Sequence, residues 1–245
     1  MSDRCLFLTG ASSDTGMEFL EKRGEQYSLI YAHYNHGSER FFRSVQRLGD
    51  RVIPLKADFS SYDDLETLLE KVGERGVYPG HFIHLVSDKM IGNKFHKREQ
   101  EDFDRGYRMA VGSAVCLLKC FLEKMMRMRY GRVVFMLSSC TLSTPPKYQS
   151  AYVSVKYALL GLMRALAVEY APKGITVNGV SPDMMDTKFL DGTLKKEVVL
   201  RENAERNPLK RNIGIDDVLP VLDYLLSDQA EAVTGQNIGV TGGLL

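Results

Sequence analysis

The sequence predicts an α/β fold, a single domain built on one doubly wound parallel sheet of about seven strands with helices on both faces. Three observations predict it. Short apolar runs alternate with longer helical patterns from one end of the chain to the other. Most of those runs are apolar at every position instead of at alternate ones, as strands buried on both faces require. The 245 residues, 44% hydrophobic and 26% charged, suit one globular domain with a large core.

In chain order, strands are read over 5–8 (CLFL), 28–32 (SLIYA), 51–55 (RVIPL), 82–86 (FIHLV), 132–137 (RVVFML), 175–180 (ITVNGV) and 237–240 (NIGV). Helical patterns fill the intervals over 14–24, 38–48, 61–74, 103–129, 150–171 and 215–227. Strand–helix–strand repetition implies right-handed crossovers, and ligands of such sheets bind beyond the carboxyl ends of the strands. Function is therefore expected in the loops after strands one, four, five and six. The helix containing YALLGLMRALAVEY is apolar on nearly every face, with Gly161 and Ala165 offering flat patches. A helix apolar all round is buried all round, here beneath the sheet or in a subunit interface, and a homo-oligomer (tetramer or dimer) is expected.

Composition excludes several classes. A net charge of +1 gives no global field for nucleic acid or a membrane surface. No apolar run approaches the ~18–20 residues that span a bilayer, and the early CLFL strand leaves no room for a signal peptide. The four cysteines show no CxxC; Cys116 and Cys120 read as buried helical thiols, and the expected setting is the reducing cytoplasm. His33/His36 and His81/His84 are three apart, which on a strand places them on opposite faces, and no metal site is expected.

Two stretches carry chemistry. In TGASSDTG, Gly10 follows the first strand and Gly16 opens the first helix, so Gly10, Ser12, Ser13, Asp14, Thr15 and Gly16 aim backbone N–H groups and a positive helix end at a pyrophosphate. Asp14 is the awkward residue. Its carboxylate would repel a phosphate, yet aspartate is a strong helix N-cap. The expectation is that it caps the helix and weakens dinucleotide binding. In AYVSVKYALLG, Tyr152 and Lys156 lie one helical turn apart on one face, where an ammonium would draw a phenol toward useful acid–base range. Ser139 precedes Tyr152 by thirteen residues, Pro182 and Thr187 follow the sixth strand, and the chain closes with VTGQNIGVTGG.

Taken together these motifs resemble the short-chain dehydrogenase/reductase family over essentially the whole chain, and among its members look most like 3-oxoacyl-[acyl-carrier-protein] reductases of fatty acid biosynthesis. The resemblance implies a Rossmann-like fold and a carbonyl reduction in which Tyr152 donates the proton, Ser139 hydrogen-bonds the carbonyl oxygen, and Lys156 holds the ribose and tunes Tyr152. Ser138 is the alternative in the serine role. It further implies cofactor contacts at His33, Tyr34 and Asn35, at Asp58 and Phe59, at Leu85, and at Pro182, Met185 and Thr187. Asp58 reads equally as a helix N-cap. With His33 where an acid would favour NAD(H), and His36 and Arg40 close by, NADP(H) is preferred over NAD(H).

Four departures from the family pattern stand out: Asp14 for the middle glycine, His84–Ser87 (HLVS) for NNAG, Ala110 or Val111 for the helix asparagine, and Asp183 after Pro182. The substrate loop, about 186–212, carries Lys195, Lys196, Arg201, Arg206, Lys210 and Arg211. It reads as a solvated lid, or as a docking surface for an acyl-carrier-linked substrate, with Lys124, Arg127, Arg129, Arg132 and Lys173 as a second basic patch. The leading expectation is reduction of a 3-oxoacyl thioester or similar small-molecule carbonyl. The alternatives are a sugar, steroid or other small-alcohol dehydrogenase, and a non-catalytic dinucleotide-binding or accessory subunit.

Overall fold

The computed structural model describes residues 4–191 and 195–244. Its elements are β1 (Cys5–Thr9), α1 (Asp14–Arg23), β2 (Leu29–Tyr34), α2 (Glu39–Leu48), β3 (Val52–Lys56), α3 (Tyr62–Arg75), β4 (His81–His84), α4 (Gln100–Tyr107), α5 (Ser113–Met128), β5 (Gly131–Met136), α6 (Ser150–Tyr170), β6 (Ile175–Pro182), α7 (Lys196–Arg206), α8 (Ile215–Leu226) and β7 (Asn237–Val240). The seven strands form one parallel sheet in the order β3-β2-β1-β4-β5-β6-β7. The chain winds outward from β1 one way and from β4 the other. The crevice at this switch point opens where Thr9 pairs with His84 at the strands' carboxyl ends.

Burial on both faces explains the apolar strands. One layer of core packs Phe7 and Phe82 against Phe121 of α5 and against α6, with Phe7 and Phe121 ring centroids 5.0 Å apart. The other packs Leu6, Leu8 and Ile83 against α1, α2 and α8.

Three features differ from the sequence expectation. The helix read over 103–129 is broken by a π turn at Arg108–Gly112 that separates α4 from α5. The lid contains a helix, α7, that no periodicity announces, because Leu200 is its one buried residue among those described. Residues 192–194 of the expected lid lie outside the described residues. Finally, α6 is two-sided. Leu159, Met163 and Ala167 enter the core, whereas Tyr157, Gly161, Ala165 and Val168 face outward, Val168 at 80% exposure. By length and composition alone the segment Ser150–Lys173 would also cross a membrane, with a mean hydropathy of 1.4; its core-facing side packs against the sheet.

Candidate active site

Beyond β5 the chain turns sharply. Ser138 caps a 3-10 turn, Ser139–Thr141, by accepting from the Cys140 N–H at 3.3 Å. The Ser138 hydroxyl also lies near Tyr152, in the first turn of α6, and favours its phenolate. One turn later Lys156 is buried, 2% exposed, with Nζ donating to the Met136 carbonyl at 2.8 Å and lying 5.5 Å from the Tyr152 ring centroid. Burial pushes the Tyr152 phenol above its ordinary range, and the nearby Ser138 hydroxyl opposes that shift. Burial also pushes Lys156 down to about 8. The expected pull of Lys156 on the phenol is not among the influences on it; desolvation dominates, and Tyr152 rests protonated, in the state that a proton donor needs.

Ser139 points elsewhere. Its Oγ donates to Asp183 Oδ1 at 3.1 Å, and Asp183 Oδ2 accepts from Asn203 Nδ2 at 2.9 Å. The aspartate that departs from the family pattern therefore ties the serine turn to α7 in the lid.

The β1–α1 turn has the shape a pyrophosphate requires. Gly10 sits at φ +64°, and a Cβ at Gly16 would come within 2.5 Å of the Gly10 carbonyl, so only glycine lets α1 press this close to the turn. Ser13, not Asp14, is the N-cap: its Oγ accepts from the Gly16 N–H at 3.1 Å. The expectation that Asp14 caps α1 is corrected. Its Oδ2 instead accepts from the Lys188 N–H at 2.6 Å, because the N-cap seat is already filled and the lid turn Lys188–Leu190 lies across from it. The first-turn N–H groups of Asp14 and Thr15 have no intrahelical acceptors, so the cradle fits a dinucleotide phosphate.

The adenosine side is more enclosed. His33 is 3% exposed; its Nδ1 accepts from the Gly10 N–H at 3.1 Å, its Nε2 donates to the Ala57 carbonyl at 3.1 Å, and its ring stacks on Phe59 at 3.6 Å. Burial pushes it down to about 4, so it brings no charge to a ribose phosphate. Tyr34 packs on Phe41 and Phe42. Asp58 accepts from the Ser60 N–H and hydroxyl at 2.8 and 2.7 Å, with the Asn35 side chain as a further donor. Ser61, not Asp58, caps α3. Arg40 is committed to Glu18 and Glu21 at 2.7 and 2.6 Å, which removes it from the cofactor side. Leu85 packs over Gly10.

On the other flank, Met185 bridges to Ile213, the Thr187 carbonyl accepts from Lys196 at 3.2 Å, and the Phe189 ring lies 5.8 Å from the Tyr152 ring. Some members of the basic patches are engaged within the chain. Lys196 pairs with Asp186 and Asp191, and Arg211 with Asp217. Arg132 is buried at the amino end of β5, donating to the Gly131, Ser227 and Gly174 carbonyls, at the opposite end of the sheet from Tyr152.

Sequence reasoning missed the role of His84. His84 Nε2 donates to the Ala110 carbonyl at 2.8 Å, which leaves Nδ1 to accept from Thr9 Oγ1 at 3.0 Å, while that oxygen accepts from the Leu85 N–H at 3.0 Å. The Ala110 carbonyl belongs to the π turn. The side chain at 84 thus meets the backbone at 110, a contact that does not depend on the side chain there. Among the described residues no group of three His, Cys, Asp or Glu side chains has metal-binding geometry.

A family model described as enoyl-(acyl carrier protein) reductase matches residues 18–245, and the chain belongs to that family, within the short-chain dehydrogenases/reductases. It is 28% identical to YjdA, an uncharacterised oxidoreductase of Bacillus subtilis, over 99% of this chain and 97% of the relative. It is 34% identical to the 3-oxoacyl-[acyl-carrier-protein] reductase FabG of Rickettsia felis over 61% of each chain. The solved structure of levodione reductase superposes with a TM-score of 0.88 over 99% of this chain and 98% of that one, at 22% identity.

Proposed function

We propose that the chain is a nicotinamide-dinucleotide-dependent oxidoreductase that interconverts a carbonyl and an alcohol, with Ser138, Tyr152 and Lys156 as its catalytic set. The observation that carries this reading is the convergence of those three side chains at the carboxyl edge of the sheet, beside the Gly10–Gly16 cradle. A bound nicotinamide supplies the hydride. The chain supplies the rest. The N–H groups opening α1 would hold the diphosphate, Lys156 the ribose, and Ser138 the substrate oxygen as negative charge develops on it. Tyr152 donates its phenolic proton to that oxygen. Ser138 takes the role expected of Ser139, whose hydroxyl is already spent on Asp183.

NADP(H) is preferred because the end of β2 presents the uncharged His33 where an acid would repel a 2′-phosphate; His36 lies beside Asp58. The acyl-carrier-linked substrate is supported by the FabG relative. A small polar alcohol or ketone is supported by the charged wall next to Tyr152. The outward face of α6 supports a homo-oligomer, and the four free thiols a reducing cytoplasm. The test is a titration with NADPH and NADH followed by nicotinamide fluorescence. Saturable binding of at least one is expected; no response to either would remove the enzyme reading.

A further inference from the structure

Asp183 closes a clasp between two sides of the active site. Its backbone is fixed first: the Asp183 N–H donates to the Val240 carbonyl at 3.0 Å, which fastens the chain just past β6 to the end of β7. The carboxylate then commits one oxygen to each side. Oδ1 accepts from Ser139 Oγ at 3.1 Å, and Oδ2 accepts from Asn203 Nδ2 at 2.9 Å. A carboxylate makes both bonds stronger than a neutral acceptor would. Asp183 is thus a post with an anchored base, bonded to the serine turn on one side and to the lid helix on the other.

Each bond ends on a small rigid unit. In the serine turn, the Ser139 carbonyl accepts from the Leu142 and Ser143 N–H groups at 2.9 and 3.1 Å, and Thr141 Oγ1 donates to the Ser138 carbonyl at 2.8 Å. From behind, Asn237 Nδ2 donates to Thr141 Oγ1 at 2.9 Å. The adjacent Ser138 carries the hydroxyl that lies near Tyr152. On the lid side, Asn203 Nδ2 also donates to Asn212 Oδ1 at 3.0 Å, and Asn212 Nδ2 donates to the Leu200 carbonyl at 3.0 Å. Lys196, at the other end of α7, joins the Thr187 carbonyl, Asp186 and Asp191. Helix α7 is thereby coupled to the turn Lys188–Leu190, which brings Phe189 against Tyr152.

We infer that Asp183 is a positioning residue: it sets where the lid seats beside Tyr152 and holds the catalytic serine turn in register with that seat. The inference rests on the oxidoreductase reading of Tyr152 and assigns the lid side of that site. With the clasp broken, the seated arrangement becomes one of several, and the apparent affinity for a carbonyl falls in proportion to the seated fraction. The chemistry within the seated complex is unchanged, so the loss falls on KM and spares kcat. Dinucleotide binding answers to the other foot of the lid, where Asp14 meets the Lys188 N–H. An amide can replace the carboxylate: in Asp183→Asn, Oδ1 accepts from Asn203 while Nδ2 donates to the Ser139 hydroxyl, which both donates and accepts.

The test measures Asp183→Ala, Asp183→Asn and Asn203→Ala with ethyl acetoacetate and NADPH or NADH. In Asp183→Ala the ketoester KM is expected to rise at least about tenfold, while kcat and the dinucleotide Kd change less than about threefold. Asp183→Asn is expected to restore the parent KM. Asn203→Ala breaks the same link from the lid side and serves if Asp183→Ala does not fold. A loss confined to Tm, or a KM unmoved by both alanine variants, overturns the inference. Hydrogen exchange reads the coupling without turnover. The Thr141, Leu142 and Ser143 amides are expected to exchange faster in Asn203→Ala, whose side chain is linked to that turn through Asp183. Unchanged exchange there overturns the inference. If neither dinucleotide binds and no ketoester is reduced, while Asn203→Ala still loosens the serine turn, it is the oxidoreductase reading that fails and the clasp that stands.

Discussion

Asp14 Oδ2 accepts a 2.6 Å hydrogen bond from the backbone N–H of Lys188, joining the phosphate turn to the substrate lid across 174 positions of sequence. The next lid residue, Phe189, packs against Tyr152. One short turn therefore touches both halves of the site, and the contact that draws it in leaves a carboxylate beside the N–H groups that would hold a diphosphate.

Asp14→Gly removes both the charge and the tether. Dinucleotide binding is expected to tighten by about tenfold, equivalent to about 1.4 kcal/mol. The Lys188 amide is expected to exchange its hydrogen faster in the same variant. Fluorescence titration and amide exchange by NMR measure the two effects separately. Weaker dinucleotide binding would mean that the carboxylate helps to build the site.

The adjacent serines separate chemistry from support. Ser138→Ala takes away the hydroxyl at Tyr152, and kcat is expected to drop by about a hundredfold or more. Ser139→Ala breaks the bridge through Asp183 to Asn203, so it is expected to lower Tm while costing kcat less than about tenfold. Steady-state kinetics and thermal melts of the two variants check this. The reverse pattern would return the catalytic role to Ser139.

Lys156 is a function-for-stability exchange. With its folded value near 8 against an ordinary 10.5, the burial cost is present in full below about pH 8. Between there and pH 10.5 the unfolded chain holds a proton that the folded one has released, so this group's contribution to stability rises with pH. Lys156→Met is expected to abolish turnover and to raise stability at neutral pH by an amount on the order of 3 kcal/mol. Denaturant melts at two pH values test the sign.

Three buried histidines set the acid limit. Burial pushes His33 and His81 down to about 4 and His84 to about 3. Below about pH 6.5 the unfolded chain binds protons that the folded chain refuses, so stability falls as pH is lowered toward 4. His84→Asn is expected to flatten part of that slope, because it removes one titrating group while keeping a donor near Ala110. Urea melts between pH 4 and 7 give the slopes directly.

The outward face of α6 makes a separate forecast. Val168→Glu, placed among Tyr157, Gly161 and Ala165, is expected to shift the protein to a smaller species in size-exclusion chromatography with light scattering. An unchanged mass would locate subunit contacts elsewhere.

Much of the architecture was legible because apolar runs such as CLFL and RVVFML report burial on both faces directly. Gly10, Gly16 and the Tyr152–Lys156 spacing were legible for a similar reason: close approach and one helical turn are local properties. What stayed hidden was set by distant partners. Counting back from Tyr152 does not separate Ser138 from Ser139, since the 3-10 turn sends their hydroxyls in different directions. Asp14 looked like a cap because aspartate is a strong N-cap, and the Lys188 N–H that donates to it instead lies far along the chain. The contact between the His84 ring and the Ala110 carbonyl joins positions 26 apart, so no local spacing announced it. Helix α7 buries one leucine among its described residues, too little to leave a period.

The most direct measurement is Tyr152→Phe assayed for both binding and turnover on one preparation. Dinucleotide affinity is expected to stay within about threefold of the parent protein while carbonyl reduction falls by at least a hundredfold, as removal of the proton donor demands. Reduction that continues at the parent rate without the Tyr152 hydroxyl would contradict the assignment.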